Sequence, residues 1–296
     1  MTTAYHHGSL AVQQRLGVRQ AAAHIAPSIR PGIRPVAAAF LELQPMLVLA
    51  AAAPDGRVWA SLLTGEPGFA RATGPHTVSV AGGPGPGDPL AGALADGTPV
   101  GTLALDPRTR RRMRLNGTAR PSARGVLIEA EQVFSNCPKY LQKRELYAPG
   151  AAGPGPDAPP VPRVGDALTG AQLAAVRAAD TFFVATTGPD GADASHRGGN
   201  PGFVHAEGPR ELLWRDYPGN AMFLTLGNLE TDGRAGLLFL DWETGTTLQL
   251  SGRAETVYRS EERFVRFRVD SVVETPAASP LRWSAPEYSP ANPTTP

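Results

Sequence analysis

PMLVLAAAAPDGRVWASLLTGEPGF, from Pro45 to Phe69, and ADTFFVATTGPDGADASHRGGNPGF, from Ala179 to Phe203, are two copies of one pattern. Pro54-Asp55-Gly56 matches Pro189-Asp190-Gly191. After a one-residue deletion, Ala60-Ser61 matches Ala194-Ser195 and Pro67-Gly68-Phe69 matches Pro201-Gly202-Phe203. Downstream, Gly101, Leu103, Leu105, Asp106, Leu115, Gly117 and Ala119 pair at a constant offset with Gly236, Leu238, Leu240, Asp241, Leu250, Gly252 and Ala254. A repeat of this kind decides the architecture, because the fold is then whatever one unit is, taken twice.

One unit reads as β. TFFVATT is rich in aromatic and β-branched residues, PDG is a turn, and DASHRGG continues as a second strand, so the unit opens with a hairpin. Pro218-Gly219-Asn220 then precedes Met222, Phe223, Leu226 and Leu229, a helical spacing with Asn220 at the N-cap. RAGLLFLDW, a turn at Glu243-Thr244-Gly245, the strand TTLQLSGRAETVY, a charged helical stretch SEERFVRF and the strand RVDSVVE complete it. About six strands and two short helices per copy is the inventory of a small antiparallel barrel. Amphipathic helices are expected at Ser9 to Ala23 and Gly170 to Ala179, capped by Ser9 and Thr169. Two barrels in one chain imply a pseudo-dimer, since duplication preserves the contact a single-copy ancestor makes with itself.

The expected fold is therefore mainly β with short helices, as two tandem barrels. The division is an N-terminal helical arm (1–30), a first barrel (31–146), a Pro/Gly linker (147–165), a second barrel (166–275) and a Pro-rich tail (276–296). A further Pro/Gly loop, Gly82 to Pro89, lies inside the first copy.

Composition narrows the function. With 28 basic and 27 acidic residues the net charge is +1, which leaves no field to hold nucleic acid or an acidic membrane. The basic run Arg108 to Arg114 reads as a solvated strand edge. A single cysteine, Cys137, excludes an intrachain disulfide and a cysteine-based zinc site. The N-terminus lacks the basic and apolar regions of a secretory signal, and the longest apolar stretch, Val36 to Ala53, is interrupted by Glu42, Gln44 and Pro45. No membrane association and a cytoplasmic location are expected.

The copies differ most where the second reads Ser195-His196-Arg197-Gly198-Gly199 and the first Ser61-Leu62-Leu63-Thr64-Gly65. On a strand, Asp193, Ser195 and Arg197 share one face, and a hydroxyl beside a guanidinium fork suits a phosphate. The alternative is an exposed Ser and Arg on a barrel rim; the asymmetry between copies favours the site. A helix starting at Asn220 would add free amides for an anion, with Thr225, Gly227 and Asn228 nearby, or Asn220 simply caps it. The segment FSNCPKYLQ, Phe134 to Gln142, has no counterpart in the second copy and carries the only Cys and one of the only two Lys residues, Lys139, with the other, Lys143, directly after it. Cys137 is either a small core hydrophobe or a thiol activated by Lys139; Tyr140 either stacks on a flat ligand or packs in the core.

SHRGGNPGF, DYPGNAMFLTLGNL, AGLLFLDWETGTTLQLSGRAE and FSNCPKYLQ together resemble the FMN-binding split β-barrel proteins related to pyridoxamine 5'-phosphate oxidase, in their two-copy bacterial branch. YHHGSLAVQQRLG resembles that branch's N-terminus, with Ser9 where an acidic residue is usual. The resemblance spans about residues 5 to 275. It implies FMN, one per chain: Ser195 and Arg197 on the phosphate with His196 and Asn220 near, Thr225 and Asn228 toward the ribityl chain or ring, and Asn136, Cys137, Lys139 and Tyr140 facing the isoalloxazine, the last three as the catalytic groups. It also implies an oxidoreductase with an unidentified small-molecule substrate and a transiently bound nicotinamide donor. The basic residues that hold substrate phosphate in the single-copy oxidases have no counterpart, so vitamin B6 oxidation is not expected. A haem-handling barrel with His6, His7, His196 or His205 as axial ligand, a non-catalytic flavin or deazaflavin carrier, and further pairing into a homodimer stay open. His6 and His7 read as solvent-exposed in a mobile arm.

Overall fold

The computed structural model describes residues 4–147, 161–260 and 262–293. Most of the expected linker, 148–160, lies outside the described residues, as does the end of the tail.

The N-terminal segment forms α1 (His7–Arg15), α2 (Arg19–Ile25) and α3 (Pro35–Glu42). The first half then builds β1 (Met46–Ala52), β2 (Val58–Thr64), β3 (Ala70–Ala72), β4 (Thr77–Ala81), β5 (Thr98–Asp106), β6 (Arg111–Ser122) and β7 (Gly125–Ser135). A short strand β8 (Arg163–Gly165) and helix α4 (Gly170–Ala178) lead into the second half. There follow β9 (Thr181–Gly188), β10 (Gly191–Gly198), β11 (Val204–Gly208), β12 (Glu211–Arg215), helix α5 (Leu224–Thr231), β13 (Arg234–Leu240), β14 (Thr247–Arg259) and β15 (Glu262–Thr275).

The first sheet runs β2-β1-β5-β6-β7-β4-β3 and the second β10-β9-β13-β14-β15-β12-β11, with β8 added beside β15. The two orders are the same order. Each opens with the hairpin that the Pro-Asp-Gly turn closes, Ala52 pairing Val58 and Gly188 pairing Gly191. Each half has its own core: Leu47, Leu49, Trp59, Leu115 and Ile128 in the first, Phe182, Val184, Trp214, Leu237 and Phe267 in the second.

A third cluster joins them. Val48, Ala50, Ala60, Leu103 and Leu105 pack with Phe183, Ala185, Ala194, Leu238 and Leu240, so that each residue meets equivalents of its own set from the other copy. This is the self-complementary contact of a two-fold dimer made within one chain. Two glycines mark it. A Cβ on Gly236 would stand 2.7 Å from the Cα of Trp59, and one on Gly101 would strike the Cα of Asp193, the residue equivalent to Trp59. Both strands lie against the opposite sheet with no room for a side chain.

Three local expectations change. The helix over Ser9 to Ala23 is two helices, broken at Leu16-Gly17-Val18, and its cap is His6, whose side chain accepts from Gly8 N. SEERFVRF is strand: Ser260 turns with positive φ, and Val265 and Phe267 are buried between more exposed Arg266 and Arg268. The long β14–β15 hairpin imposes a two-residue period on a stretch whose charges suggested a helix. Thr169 caps α4 as expected, with Gln172 completing a capping box.

Candidate functional site

The alternation along β10 places Asp193, Ser195 and Arg197 on one face of a strand whose neighbour across the seam is β6 of the other half. There the two copies build one cleft. Its wall from the first half is Arg112, Arg114 and the segment Asn136 to Tyr140; its wall from the second is Ser195 to Gly198, Trp214 to Tyr217 and Gly219 to Leu226.

Arginine dominates the floor. Arg114, buried, pairs with Asp193, which also accepts from Asn116 Nδ2 at 3.1 Å and from Thr225 Oγ1 at 3.4 Å. Arg197 donates to Ser195 Oγ at 2.7 Å and to the His196 carbonyl at 3.0 Å, with Asp216 3.8 Å away and itself shared with Arg263. Arg112 forms no ion pair among the described residues: it donates to His196 Nδ1 at 2.6 Å and to the Cys137 carbonyl at 2.7 Å. Burial first, then repulsion from Arg197 and Arg114, pulls Arg112 down to about 9. Burial, with Arg112 and Arg197 behind it, pushes His196 well below the ordinary imidazole value. Because a guanidinium only donates, His196 is neutral, accepts at Nδ1 and carries its proton on Nε2.

Several polar atoms of this lining have no partner among the described residues: Asn136 Oδ1, His196 Nε2, Arg197 Nε and Trp214 Nε1 are all buried and unpaired there. Buried polar groups are nearly always satisfied, and four such orphans around one cleft with an excess of cations describe a site built for a polar, anionic ligand. Tyr140 closes one side. Its Oη donates to the Pro218 carbonyl at 2.8 Å and its ring lies 5.1 Å from that of Tyr217, tying the first half's segment to the second half.

Residues 168–293 match the family model described as pyridoxamine 5'-phosphate oxidase. The match falls within the second half of the chain, which is similar to that family. No curated protein matches the chain. Among solved structures, a HupZ variant from Group A Streptococcus is 13% identical over 36% of this chain and 98% of its own, with a TM-score of 0.31. An FAD-binding protein from Mycobacterium smegmatis is 14% identical over 38% and 98%, TM-score 0.26, and an FAD-binding protein from Mesorhizobium loti is 11% identical over 40% and 99%, TM-score 0.30.

Within the second half the cleft gathers Ser195, His196, Arg197, Asn220 and Thr225, and Asn136, Cys137, Lys139 and Tyr140 reach it from the first half. Asn228 does not line it. Its Oδ1 meets His6 Nε2 at 2.9 Å and its Nδ2 donates to Thr186 Oγ1 at 3.0 Å, pinning α1 to α5. His6 is thus buried and engaged, not a solvent-exposed arm residue, while His7 is exposed. The helix expected from Asn220 begins at Leu224 behind a left-handed Phe223, and Asn220 instead accepts from Met222 N in a local turn at the cleft rim.

The basic run is the main correction. β6 is an inner strand between β5 and β7, not an edge, and Arg112 and Arg114 turn inward toward the second half. The signal was present: in Arg112-Met113-Arg114-Leu115-Asn116 the polar residues keep a strict two-residue period, which a buried polar face also produces. No helix among the described residues is long and apolar enough to cross a membrane.

Proposed function

We propose that the cleft binds flavin mononucleotide, one per chain, and that the protein is an FMN-dependent oxidoreductase acting on a small molecule other than a B6 vitamer. The phosphate lies at Ser195, Arg197 and Arg112, and the ring faces Asn136, Cys137, Lys139 and Tyr140. The division into two barrels, 31–146 and 166–275, flanked by an arm and a tail, belongs to the same reading.

One observation carries it: Arg112, largely buried among other arginines and without a carboxylate. Burying an uncompensated guanidinium is costly, and a dianionic phosphate beside Arg112 and Arg197 removes that cost. The space between the side chains is about 110 Å³, and Arg197 is folded onto Ser195 within it. Entry of the ligand exchanges that hydrogen bond for charge-assisted contacts of both groups with phosphate oxygens.

A bound flavin would supply the electron-accepting chemistry, and the chain's own residues position and tune it. Lys139 lies exposed on the rim, and Asn136 Oδ1 is an acceptor without a partner among the described residues. Burial raises Tyr140, so its phenol keeps its proton and remains a donor. An axial role for His196 in a haem site conflicts with its tautomer, since Nδ1 is taken by Arg112 and Nε2 bears the proton.

The test is the absorption spectrum of the purified protein with the released cofactor identified by mass. Flavin bands with FMN at about one per chain support the reading. A Soret band, or a colourless protein that takes up no flavin, overturns it.

A further inference from the structure

The duplication gives the candidate cleft a counterpart. Ser61 on β2 is the equivalent of Ser195 on β10, and Gln249 on β14 is the equivalent of Arg114 on β6. As β6 lies against β10 on one side of the molecule, β14 lies against β2 on the other. The connection between the fourth and fifth strands covers the cleft in both halves: residues 216–233 in the second, residues 82–97 in the first.

In the second half that connection leaves a cavity. In the first it delivers a carboxylate. Ser61 Oγ donates to Asp88 Oδ1 at 2.6 Å, Gln249 Nε2 donates to Asp88 Oδ2 at 3.1 Å, and Leu90 N donates to Asp88 Oδ1 at 2.8 Å. Gln249 also donates to the Ala60 carbonyl and approaches Ser61 Oγ, so its amide is fixed with its N–H groups toward Asp88. Ser61 and Gln249 are buried, and Leu90 seals the loop into the first core with no exposed surface. No arginine or lysine pairs with Asp88 among the described residues, so three neutral donors converge on an anion.

We propose that the first half retains a latent small-anion site, the pseudo-symmetric counterpart of the arginine-lined cleft, in which the Asp88 carboxylate is the built-in occupant. The Gly82–Pro89 loop then has a purpose that its composition alone does not give. It brings an internal anion to the donors the duplication left behind and closes the second site. The loss of the anion-binding pair, with Leu62 and Leu63 in place of His196 and Arg197, agrees with a pocket that holds one carboxylate and not a phosphate. This inference rests on the internal symmetry and holds whatever ligand fills the other cleft.

The experiment is chemical rescue in the full-length chain. Asp88→Ala removes the carboxylate and leaves Ser61, Gln249 and Leu90 N without an acceptor. Its thermal midpoint is expected to fall by roughly 4–8 °C. Sodium formate at tens of millimolar is expected to restore about half of that loss, whereas sodium chloride at equal ionic strength is not. The wild type and the double variant Ser61→Ala/Asp88→Ala are expected to show no formate-specific shift. If Asp88→Ala does not fold in chloride buffer, refolding yield from urea in formate against chloride is read instead, with a higher yield in formate expected. An Asp88→Ala protein that responds equally to formate and chloride in either measurement, or one as stable as the wild type, overturns the proposal. Flavin content is not used as the readout, so failure here leaves the reading of the other cleft untouched.

Discussion

Arg112 donates to Nδ1 of His196 at 2.6 Å across the seam between the two sheets, so a strand of one half sets the tautomer of a histidine in the other. The contact exists only because the chain is duplicated and its halves face each other. A single-copy relative would need a second subunit to supply the arginine. Here β6 supplies it, and the same strand sends Arg114 to Asp193. The cleft is therefore a property of the pair of barrels and of neither barrel alone.

Removing Arg112 tests this directly. Arg112→Ala deletes the one arginine of the floor that has no ion pair among the described residues, and loss of a charge-assisted hydrogen bond is expected to weaken flavin binding roughly 10- to 100-fold. Arg197→Ala is expected to abolish stoichiometric flavin, whereas Leu62→Ala is expected to leave it at the wild-type level. Flavin released per chain and a fluorescence titration of the apoprotein measure all three. Unchanged affinity in Arg112→Ala would remove the first half from the phosphate site.

The neutral state of His196 has a pH signature. Its folded value lies well below the ordinary imidazole range, with burial the larger cause. The unfolded chain takes up a proton as pH falls through about 6.5 and the folded chain does not, so stability is full above that pH and declines as the solution is acidified. His6, also lowered chiefly by burial, adds a slope of the same sign; Asp88 and Asp180, raised by burial, act oppositely at more acidic pH. The difference between wild type and His196→Gln isolates the effect. Urea midpoints between pH 7.5 and 5.5 are expected to fall less steeply in the variant, and equal slopes would mean that His196 takes up its proton in the folded protein as it does in the unfolded chain.

What could be read without the structure was whatever is written locally and twice. The Pro-Asp-Gly turns and the alternation after them fix the opening hairpins, and the spacing of Ser195 and Arg197 puts both on one face of β10. What escaped was set by neighbours far away in sequence. Arg112 and Arg114 read as a solvated edge because nothing near them says that β6 has partners on both sides. The stretch after Ser260 read as helix because its charges are local and its pairing with β14 is not. α5 starts four residues after Asn220 because Phe223 turns left-handed, which no propensity predicts for phenylalanine.

Asn228 separates a structural residue from a ligand-binding one. Asn228→Ala leaves the His6 ring and the Thr186 hydroxyl without their shared partner in a buried setting, at an expected cost of about 1–3 kcal/mol. Flavin content should be unchanged once the protein is folded. Urea unfolding and cofactor stoichiometry on the same sample decide it: lost cofactor with unaltered stability would return Asn228 to the cleft.

The seam glycines give a matched pair. Gly101→Ala and Gly236→Ala each force a methyl group against the opposing backbone, and each is expected to lower stability by about 1–3 kcal/mol. Their effects on the site differ, because Gly101 lies on Asp193, the partner of Arg114, while Gly236 lies on Trp59 in the closed half. Flavin affinity is therefore expected to drop in Gly101→Ala and to hold in Gly236→Ala. Equal losses of affinity would mean that the seam acts on the cleft through overall stability only.

Cys137 and Tyr140 are the sharpest test of which groups act through side chains. The described contact of Cys137 with the arginine floor is its backbone carbonyl, which accepts from Arg112, and any residue at that position supplies a carbonyl. Cys137→Ser should then leave flavin content and affinity unchanged. A shift in the flavin absorption bands or in turnover at constant content would locate the thiol at the ring. Tyr140 differs, because its hydroxyl makes the bond to the Pro218 carbonyl that ties the two walls together. Tyr140→Phe removes one neutral hydrogen bond and is expected to weaken binding roughly 2- to 10-fold, mainly by faster release. Stopped-flow dissociation of the cofactor measures it: an unchanged off-rate would show that the Tyr140–Tyr217 ring contact alone holds the cleft closed.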